Sequence, residues 1–288
     1  METLALPHDI AGARFSDPAD FAAYLRGPCA VSPYLTGKAD GGDWYGATPA
    51  ETLARADAGN DRLTAPCDRL LDRMETVDFA TSRFATVAAV AGGAPCVPAY
   101  LAGSPMAMRR RVRVADDLAP LAVVVDMGVS ASVTHPTIQR RGAAALALVR
   151  LLAATRPVSL WVVTGQIVDK HDAARDAAFA VRLDTAPLDV ARAAWLLAAP
   201  EAFRRAGFAA CHAIAGLPDK TDVNWLQDNY KRHPELLRAC APALTGCADF
   251  LLVPSLITAG ETQFDSDERA AAWVQAQLDK HGGAAMAA

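Results

Sequence analysis

The chain has 288 residues, 52% of them hydrophobic and 21% charged, which is the composition of a globular protein with a sizeable core and not of a disordered chain. Its net charge of −4 excludes a basic field over the whole molecule, of the kind that attracts nucleic acid. The sequence has no stretch of about 18 uninterrupted apolar residues and no N-terminal basic segment followed by an apolar run, so we expect a cytoplasmic protein without a membrane partner. The six cysteines form no C-x-x-C pair, which favours free thiols over a zinc site.

The first part of the chain, residues 1–114, is predicted to be a helix-rich N-terminal region. Asp17 precedes Pro18, which is the order of an N-cap and a first helical residue. Thr48 and Glu51 have the spacing of a capping box. The helix that begins at residue 49 and the helix predicted over 66–77 are expected to pack against each other as an antiparallel pair. The predicted elements are helices from 18, from 49 and over 66–77, a strand over 84–90 and a short helix over 97–102.

The densest charge in the chain is an arginine cluster just before the predicted sheet. It consists of Arg109, Arg110, Arg111 and Arg113. One hypothesis is that these side chains contact phosphate or an acidic partner. The alternative is a solvated strand or helix end, which the acidic pair at 116–117 favours because it follows at once.

The rest of the chain is organised around residues 121–163, which have the pattern of strand, helix and strand. Leu121–Val125 is a continuous apolar run, as expected for a strand buried on both faces of a parallel sheet. Thr137–Ala154 has apolar residues at helical spacing, and Ser159–Val163 is a second apolar strand. In such units ligands bind at the carboxyl ends of the strands, where we expect Asp126.

Further strands near 179 and 250, separated by helices, predict an α/β domain over residues 115–281. The fold class is therefore a Rossmann-like, mostly parallel sheet flanked by helices, joined to the helix-rich region 1–114. A terminal amphipathic helix is predicted from about 266 to 280, and residues 282–288 are expected to be a frayed tail.

The loop after the first central strand reads D126-M-G-V-S130, and it resembles the opening of a von Willebrand factor A-type domain. In that family the strand ends in D-x-S-x-S, and the Asp and both Ser hold a Mg²⁺ ion. Asp126 and Ser130 match this pattern, whereas Gly128 replaces the first Ser and removes one oxygen ligand. The resemblance therefore implies a von Willebrand A-like fold with a degenerate metal site, at which Asp126 and Ser130 are the remaining Mg²⁺ ligands.

The same family also takes a Thr from a later loop and an Asp after a later strand. Thr164 and Asp184 follow predicted strands of this chain, but the sequence assigns neither of them that role.

A second resemblance covers more of the chain, from Trp44 to Phe208. It lies in the segments W-Y-G-A with the E-T-L-A-R-A helix, V-P-A-Y-L-A-G-S-P-M-A-M, R-R-G-A-A-A-L-A-L-V and P-E-A-F-R-R-A-G-F. These segments are similar to a family of uncharacterised phage-encoded proteins, which has no established activity. The resemblance implies a phage or prophage setting, and hence the host cell cytoplasm.

The candidate site for a partner or ligand is the loop from Asp126 to Thr137. It contains Asp126, Gly128, Ser130, Ser132 and His135, of which His135 is the residue suited to proton transfer or ligation. No G-x-S-x-G elbow and no G-x-G-x-x-G loop accompanies these residues, so no catalytic residue is assigned.

Three hypotheses about function follow. The first is a non-enzymatic protein-interaction or scaffold module that binds another protein at this loop. The second is a divalent-metal-dependent enzyme of nucleic-acid or nucleotide processing, with Asp126 on the metal and the arginine cluster on phosphate. The third is a virion-associated structural protein. The sequence leaves the partner, the metal and the oligomeric state open.

Overall fold

The computed structural model describes residues 1–39, 42–61, 63–74, 84–113, 120–130, 132–153, 156–166, 176–185, 188–219, 233–256 and 262–281. The predicted frayed tail, residues 282–288, lies outside the described residues.

A mixed sheet, mostly parallel and flanked by helices, forms the centre of the molecule, and this confirms the predicted α/β class. In the described residues it has six strands in the order β1-β2-β8-β7-β6-β9. Pairs β2–β8, β6–β7 and β6–β9 are parallel, whereas β1–β2 and β7–β8 are antiparallel. The strands are β1 (Glu2–Ala5), β2 (Ala11–Phe15), β6 (Leu121–Asp126), β7 (Val158–Gln166), β8 (Ala177–Leu183) and β9 (Phe250–Val253).

Strand β6 is buried on both faces, as its continuous apolar run predicted. Leu121, Val123 and Val125 belong to one hydrophobic cluster, and Ala122 and Val124 belong to another. Because successive side chains of a strand point to opposite faces, the two clusters are the two sides of the sheet. The first side is covered by several helices, of which α6 contributes most, and the second by α9. The predicted unit of strand, crossover helix and parallel strand is confirmed.

The helices begin where the local sequence signals place them. Asp17 caps α1 by accepting the backbone N–H of Asp20, and Thr48 and Glu51 form both bonds of the predicted capping box at α3. The helices of the described residues are α1 (Pro18–Arg26), α2 (Pro33–Thr36), α3 (Pro49–Ala58), α4 (Thr64–Met74), α5 (Val97–Leu101), α6 (His135–Ala153), α7 (Val190–Ala198), α8 (Phe208–Ile214), α9 (His233–Thr245) and α10 (Asp267–His281), together with short 3₁₀ turns at Pro7–Asp9 and Gly42–Tyr45 and a π-helical turn at Ala202–Gly207.

The expected antiparallel pairing of α3 with α4 was wrong. Helix α3 packs on α1 and α7, whereas α4 packs on α6 and α10. Helix α4 packs on α6 because the two helices approach closely at Gly142. Leu63, which directly precedes α4, contacts Gly142 so closely that a Cβ added to Gly142 would lie 3.0 Å from Cδ1 of Leu63. Leu63 and Leu70 are fully buried there, so each helix buries its apolar side against the layer that covers the sheet.

Residues 1–15 contribute two strands to the main sheet, in a stretch to which the sequence pattern assigned no element. Strand β2 pairs with β8 in parallel, and Phe15 at its end is fully buried. Phe15 and Leu70 belong to the same hydrophobic cluster as Val123. One core therefore takes side chains from both sides of residue 114.

A second, smaller sheet shares no strand pairing with the main sheet in the described residues. It has three strands in the order β3-β5-β4, made by β3 (Phe84–Ala89), β4 (Ala94–Pro95) and β5 (Met108–Arg113). The predicted strand at 84–90 and the predicted short helix at 97–102 are confirmed by β3 and α5. Over the described residues, no helix has the length and apolar character that crossing a bilayer would require.

Candidate functional site

The loop after β6 is held by a buried guanidinium. Arg141, on α6, is 1% exposed, and its Nη1 donates to the carbonyl oxygens of Asp126 at 2.8 Å and Gly128 at 3.2 Å. The Asp126 carboxylate, itself 2% exposed, accepts the backbone N–H of Gly128 at 2.9 Å through Oδ1. Asp126, the side chain predicted to hold Mg²⁺, therefore hydrogen-bonds to the backbone of its own loop. The guanidinium of Arg141 on α6 binds the loop carbonyls.

The next part of the loop is tied to the segment after β9. Ser130 donates its N–H to the carbonyl of Leu256 at 2.9 Å, and Leu256 donates to the carbonyl of Gly128 at 2.8 Å. The hydroxyl oxygens of Ser130 and Ser132 are 3.2 Å apart. His135 is exposed at the first residue of α6. The structure thus places Asp126, Gly128, Ser130 and Ser132 at and after the carboxyl end of β6. It places His135 on α6, which begins two residues before the predicted helix start at Thr137.

Thr164 and Asp184 are the two positions compared with the von Willebrand A-type metal site. They do not lie at the same end of the sheet. Thr164 is buried on β7 beside the loop edge, whereas Asp184 follows β8, which runs antiparallel to β7. The carboxyl end of β8 is therefore at the opposite edge of the sheet from Asp126. Within the described part of the chain, no group of three His, Cys, Asp or Glu side chains is placed to hold a metal ion.

Two consecutive arginines on the π-helical turn link this loop to the segment around residue 45. Arg204, 2% exposed, donates to the carbonyl of Ser130 at 2.8 Å and to that of Trp44 at 2.7 Å, and its guanidinium lies 4.7 Å from the Trp44 ring centre. Burial lowers the pKa of Arg204 to about 10, so the side chain is still charged at neutral pH. Single π-helical turns occur preferentially at functional sites.

Arg205 fixes the same segment further along. It donates from Nε to the carbonyl of Ala47 at 2.6 Å and from Nη1 to that of Tyr34 at 2.8 Å. Its guanidinium lies 4.1 Å from the ring centre of Tyr45, within the range of a cation–π contact. The two arginines bring residues 34–47 and the loop after β6 together through backbone carbonyls, although the two segments are distant in sequence.

A buried ion pair completes this support. Glu201, with no exposed surface, accepts from Nη1 of Arg55 at 2.6 Å. Gly46 lies against it with a φ of +82°, and a Cβ there would be 3.0 Å from Cβ of Pro200 and 3.1 Å from Oε2 of Glu201. Only glycine fits this position without strain, because both the backbone conformation and the close approach exclude a side chain.

Between these segments lies a cavity of about 580 Å³. This volume is within the range of about 300–1,000 Å³ that is usual for ligand sites. His135 and Arg205 line it together with the start of α3, which places the N-terminal end of that helix at the cavity wall. The lining residues are Gly37, Ala39, Asp43, Gly46, Ala47, Thr48, Pro49, Glu51, His135 and Arg205.

The cavity wall is chemically mixed. Arg205 is buried in it, whereas the carboxylates of Asp43 and Glu51 and the ring of His135 are on exposed residues. The Glu51 carboxylate already accepts the N–H and the hydroxyl of Thr48, both at 2.8 Å. Such a wall can hold polar groups of either charge, which is the chemistry of a recognition site.

Two residues of the predicted arginine cluster, Arg109 and Arg110, do not line this cavity. Arg109 and Arg110 are exposed on β5, which pairs with β3 and β4 in the small sheet. The side chains of Arg111 and Arg113, also on β5, lie outside the described residues.

A family model, described as Domain of unknown function (DUF7192), matches residues 7–230, which is more than half of the chain. The chain belongs to this family. The match begins after β1, and it includes β2, the loop after β6, the π-helical turn and the whole cavity wall. Comparison with curated proteins and with solved structures gives no match.

Several residues of the site were not found by sequence reasoning. Arg141, Arg204 and Arg205 each stand in a helix whose other residues are mostly apolar, and all three are at most 6% exposed. A charged residue that falls on the buried side of an apolar helix needs a partner, and this was the available signal. The partners themselves are backbone carbonyls of distant segments, which no local pattern indicates.

Proposed function

We propose that this protein is a non-enzymatic protein-interaction module, and that it binds a segment of a partner protein at the loop Asp126–Thr137 and in the cavity beside it. The observation that carries the proposal is the cavity of about 580 Å³, which has His135 of the predicted loop in its wall. A pre-formed, partly polar cavity next to a surface loop is the usual form of a recognition site.

The rigid support of the cavity is suited to binding. Its wall is fixed by Arg204 and Arg205 through four hydrogen bonds to backbone carbonyls, and by Gly46 against the buried Glu201. Pre-ordering of a site lowers the entropy cost of binding, so fixed walls increase affinity without any reaction.

The finer likeness to a von Willebrand A-type domain with a degenerate metal site belongs to the same proposal. It is supported by the position of Asp126 at the carboxyl end of a central parallel strand, and by Arg141, whose guanidinium binds the loop carbonyls. A phage or prophage setting in the host cytoplasm is likewise part of the proposal, and it rests on the four quoted sequence segments alone.

The test places a photo-cross-linking amino acid at position 135, and in a second strain at 184, in cells that contain the partner. Asp184 is exposed at the opposite edge of the sheet and serves as the control position. We expect one protein to be captured from position 135 and not from 184. The purified partner is then titrated calorimetrically into the parent and into variants His135→Ala and Ala47→Phe.

We expect both cavity variants to bind at least about tenfold more weakly, because His135→Ala removes a polar wall group and Ala47→Phe fills the space. Asp184→Ala should bind like the parent. Equal affinity of all four proteins, or capture from position 184 as efficient as from 135, would refute the assignment of the site.

A further inference from the structure

The small sheet and the helix within it form a separate element, here called the arm and defined as residues 84–113. Strand β5 pairs with β3 along its whole length and with β4 over two residues. Helix α5 lies between β4 and β5 in the chain. The arm therefore has its own backbone hydrogen bonding and adds no strand to the main sheet.

Within the part of the arm whose side chains the structure describes, Ala88 to Arg110, no residue is buried. Large apolar side chains are nevertheless concentrated there, and they are 48–78% exposed: Val90, Val97, Tyr100, Leu101 and Met106. Exposed apolar surface marks an interaction site where it is contiguous, so these side chains make the arm a candidate contact surface.

The charge of the arm differs sharply from that of the remaining chain, here called the body. The arm contains four arginines and no lysine, aspartate or glutamate. The body then contains 24 basic and 32 acidic side chains, a net charge of −8 against +4 for the arm. The arm also contains one tyrosine and two methionines, which, like arginine, are residue types that protein interfaces favour.

We propose that the arm docks on the body of a second copy of this chain, and that two copies exchange arms in this way. The opposite charges of arm and body favour this contact, whereas contact between two arms would place like charges together. Reciprocal exchange gives a closed twofold dimer, which is the commonest form of oligomer. The inference does not depend on the proposed function of the cavity.

The first experiment is sedimentation velocity on the full chain over a concentration series up to about 100 μM. We expect a dimer that dissociates on dilution. The paired variant Tyr100→Ser with Leu101→Ser should raise the dissociation constant at least about tenfold, since it removes two large side chains from the contact. Val31→Ser is the comparison variant. Val31 is 58% exposed in the body, and a single body position should matter less than two adjacent large side chains of the arm.

A charge-reversal variant separates the two ways in which arms can meet a second copy. Arg109→Glu with Arg110→Glu should weaken the dimer if the arm lies on an acidic body. A dimer that becomes tighter in this variant would overturn the proposed contact, because it would show that arginines of two arms face each other. Both positions are exposed, so circular dichroism should show an unchanged fold.

Thiol labelling supplies a readout at the arm itself. Cys96 is only partly buried, and the backbone N–H of Ala99 and the Arg109 side chain lower the pKa of its thiol, so it reacts readily. Cys247, also partly buried, lies in the body and serves as the internal control. We expect the labelling rate of Cys96 to fall as dimer forms, by a larger factor than that of Cys247. A monomer at every concentration, with a constant Cys96 rate, would refute the proposal and leave a different occupant for the arm.

Discussion

Replacing Arg141 by Met tests whether a side-chain cation, and not a metal ion, holds the loop after β6. The guanidinium makes two hydrogen bonds to buried carbonyls, at 2.8 and 3.2 Å, and the residue is 1% exposed. A hydrogen bond to a charged group contributes about 1.5–3 kcal/mol, and a carbonyl left without a donor in the interior adds a desolvation cost. Methionine keeps most of the apolar stem, so little is lost in packing.

From these values we expect Arg141→Met to lower the free energy of unfolding by about 3–5 kcal/mol. This is a large part of the total of about 5–15 kcal/mol that is usual for a folded domain. Arg150→Met is the matched control, since Arg150 lies on the same helix and its 3.8 Å ion pair with Asp68 joins two exposed side chains. A surface pair of this kind contributes about 0–1 kcal/mol.

The assay is urea denaturation followed by circular dichroism, at low Mg²⁺ and again at millimolar Mg²⁺. The reasoning would be refuted if the two variants lost the same stability, or if Mg²⁺ restored Arg141→Met to the stability of the parent. The second result would mean that an ion binds where the guanidinium does.

Three further predictions concern single positions. Asp126→Ala should lower stability by about 1–2 kcal/mol through loss of the bond to the loop backbone, and thermal-shift titration with Mg²⁺ should move the Tm of neither parent nor variant; a rise confined to the parent would contradict a degenerate site. Gly46→Ala should lose about 1–3 kcal/mol in denaturant titration, clearly more than Gly216→Ala, where φ is +74° but no atom lies within 4 Å of the added Cβ. Asp17→Ala should lower stability by about 1 kcal/mol at pH 7. Because the N–H of Asp20 lowers the pKa of the Asp17 carboxyl, this stabilisation is complete above the ordinary carboxyl pKa of 3.8 and is lost as the pH falls below that value. Equal stabilities of parent and variant at pH 7 would count against the cap.

Local sequence signals predicted the elements whose cause is local. The apolar run 121–125 needs no partner to be identified as a buried strand, and the Thr48–Glu51 spacing defines a helix start through bonds within four residues. The position of Asp126 at a strand end followed from these elements, because the carboxyl ends of parallel strands share one edge of the sheet.

Strands β1 and β2 were missed because their stabilisation is not local. Strand β2 is only five residues long and includes Gly12, and glycine has a low strand propensity. They form a strand because β8 offers a parallel partner, from Ala11 opposite Ala177 to Phe15 opposite Val181. Tertiary pairing outweighs intrinsic preference at such positions.

The cavity was missed for a similar reason. Its wall combines eight residues between Gly37 and Glu51 with His135 and Arg205, and the contacts of Arg205 run from its guanidinium to backbone carbonyls. A carbonyl is present at every residue, so its role as a partner leaves no mark in the sequence. Only the two charges of Arg204 and Arg205 within an apolar helix indicated that something distant had to bind them.

The pairing of β2 with β8 has a consequence for the synthesis of the chain. Strand β8 lies between β2 and β7 in the sheet. Strand β2 leaves the ribosome long before β8, and β7 leaves it shortly before β8. The β1–β2 hairpin must therefore wait, without its main partner, until residue 183 has been made. We expect folding to begin in the local unit β6–α6–β7, and closure of the sheet by the early hairpin to be a late step with a long loop to close. Until β2 pairs with β8, each of them presents an unpaired strand edge, at which a nascent chain is prone to aggregate.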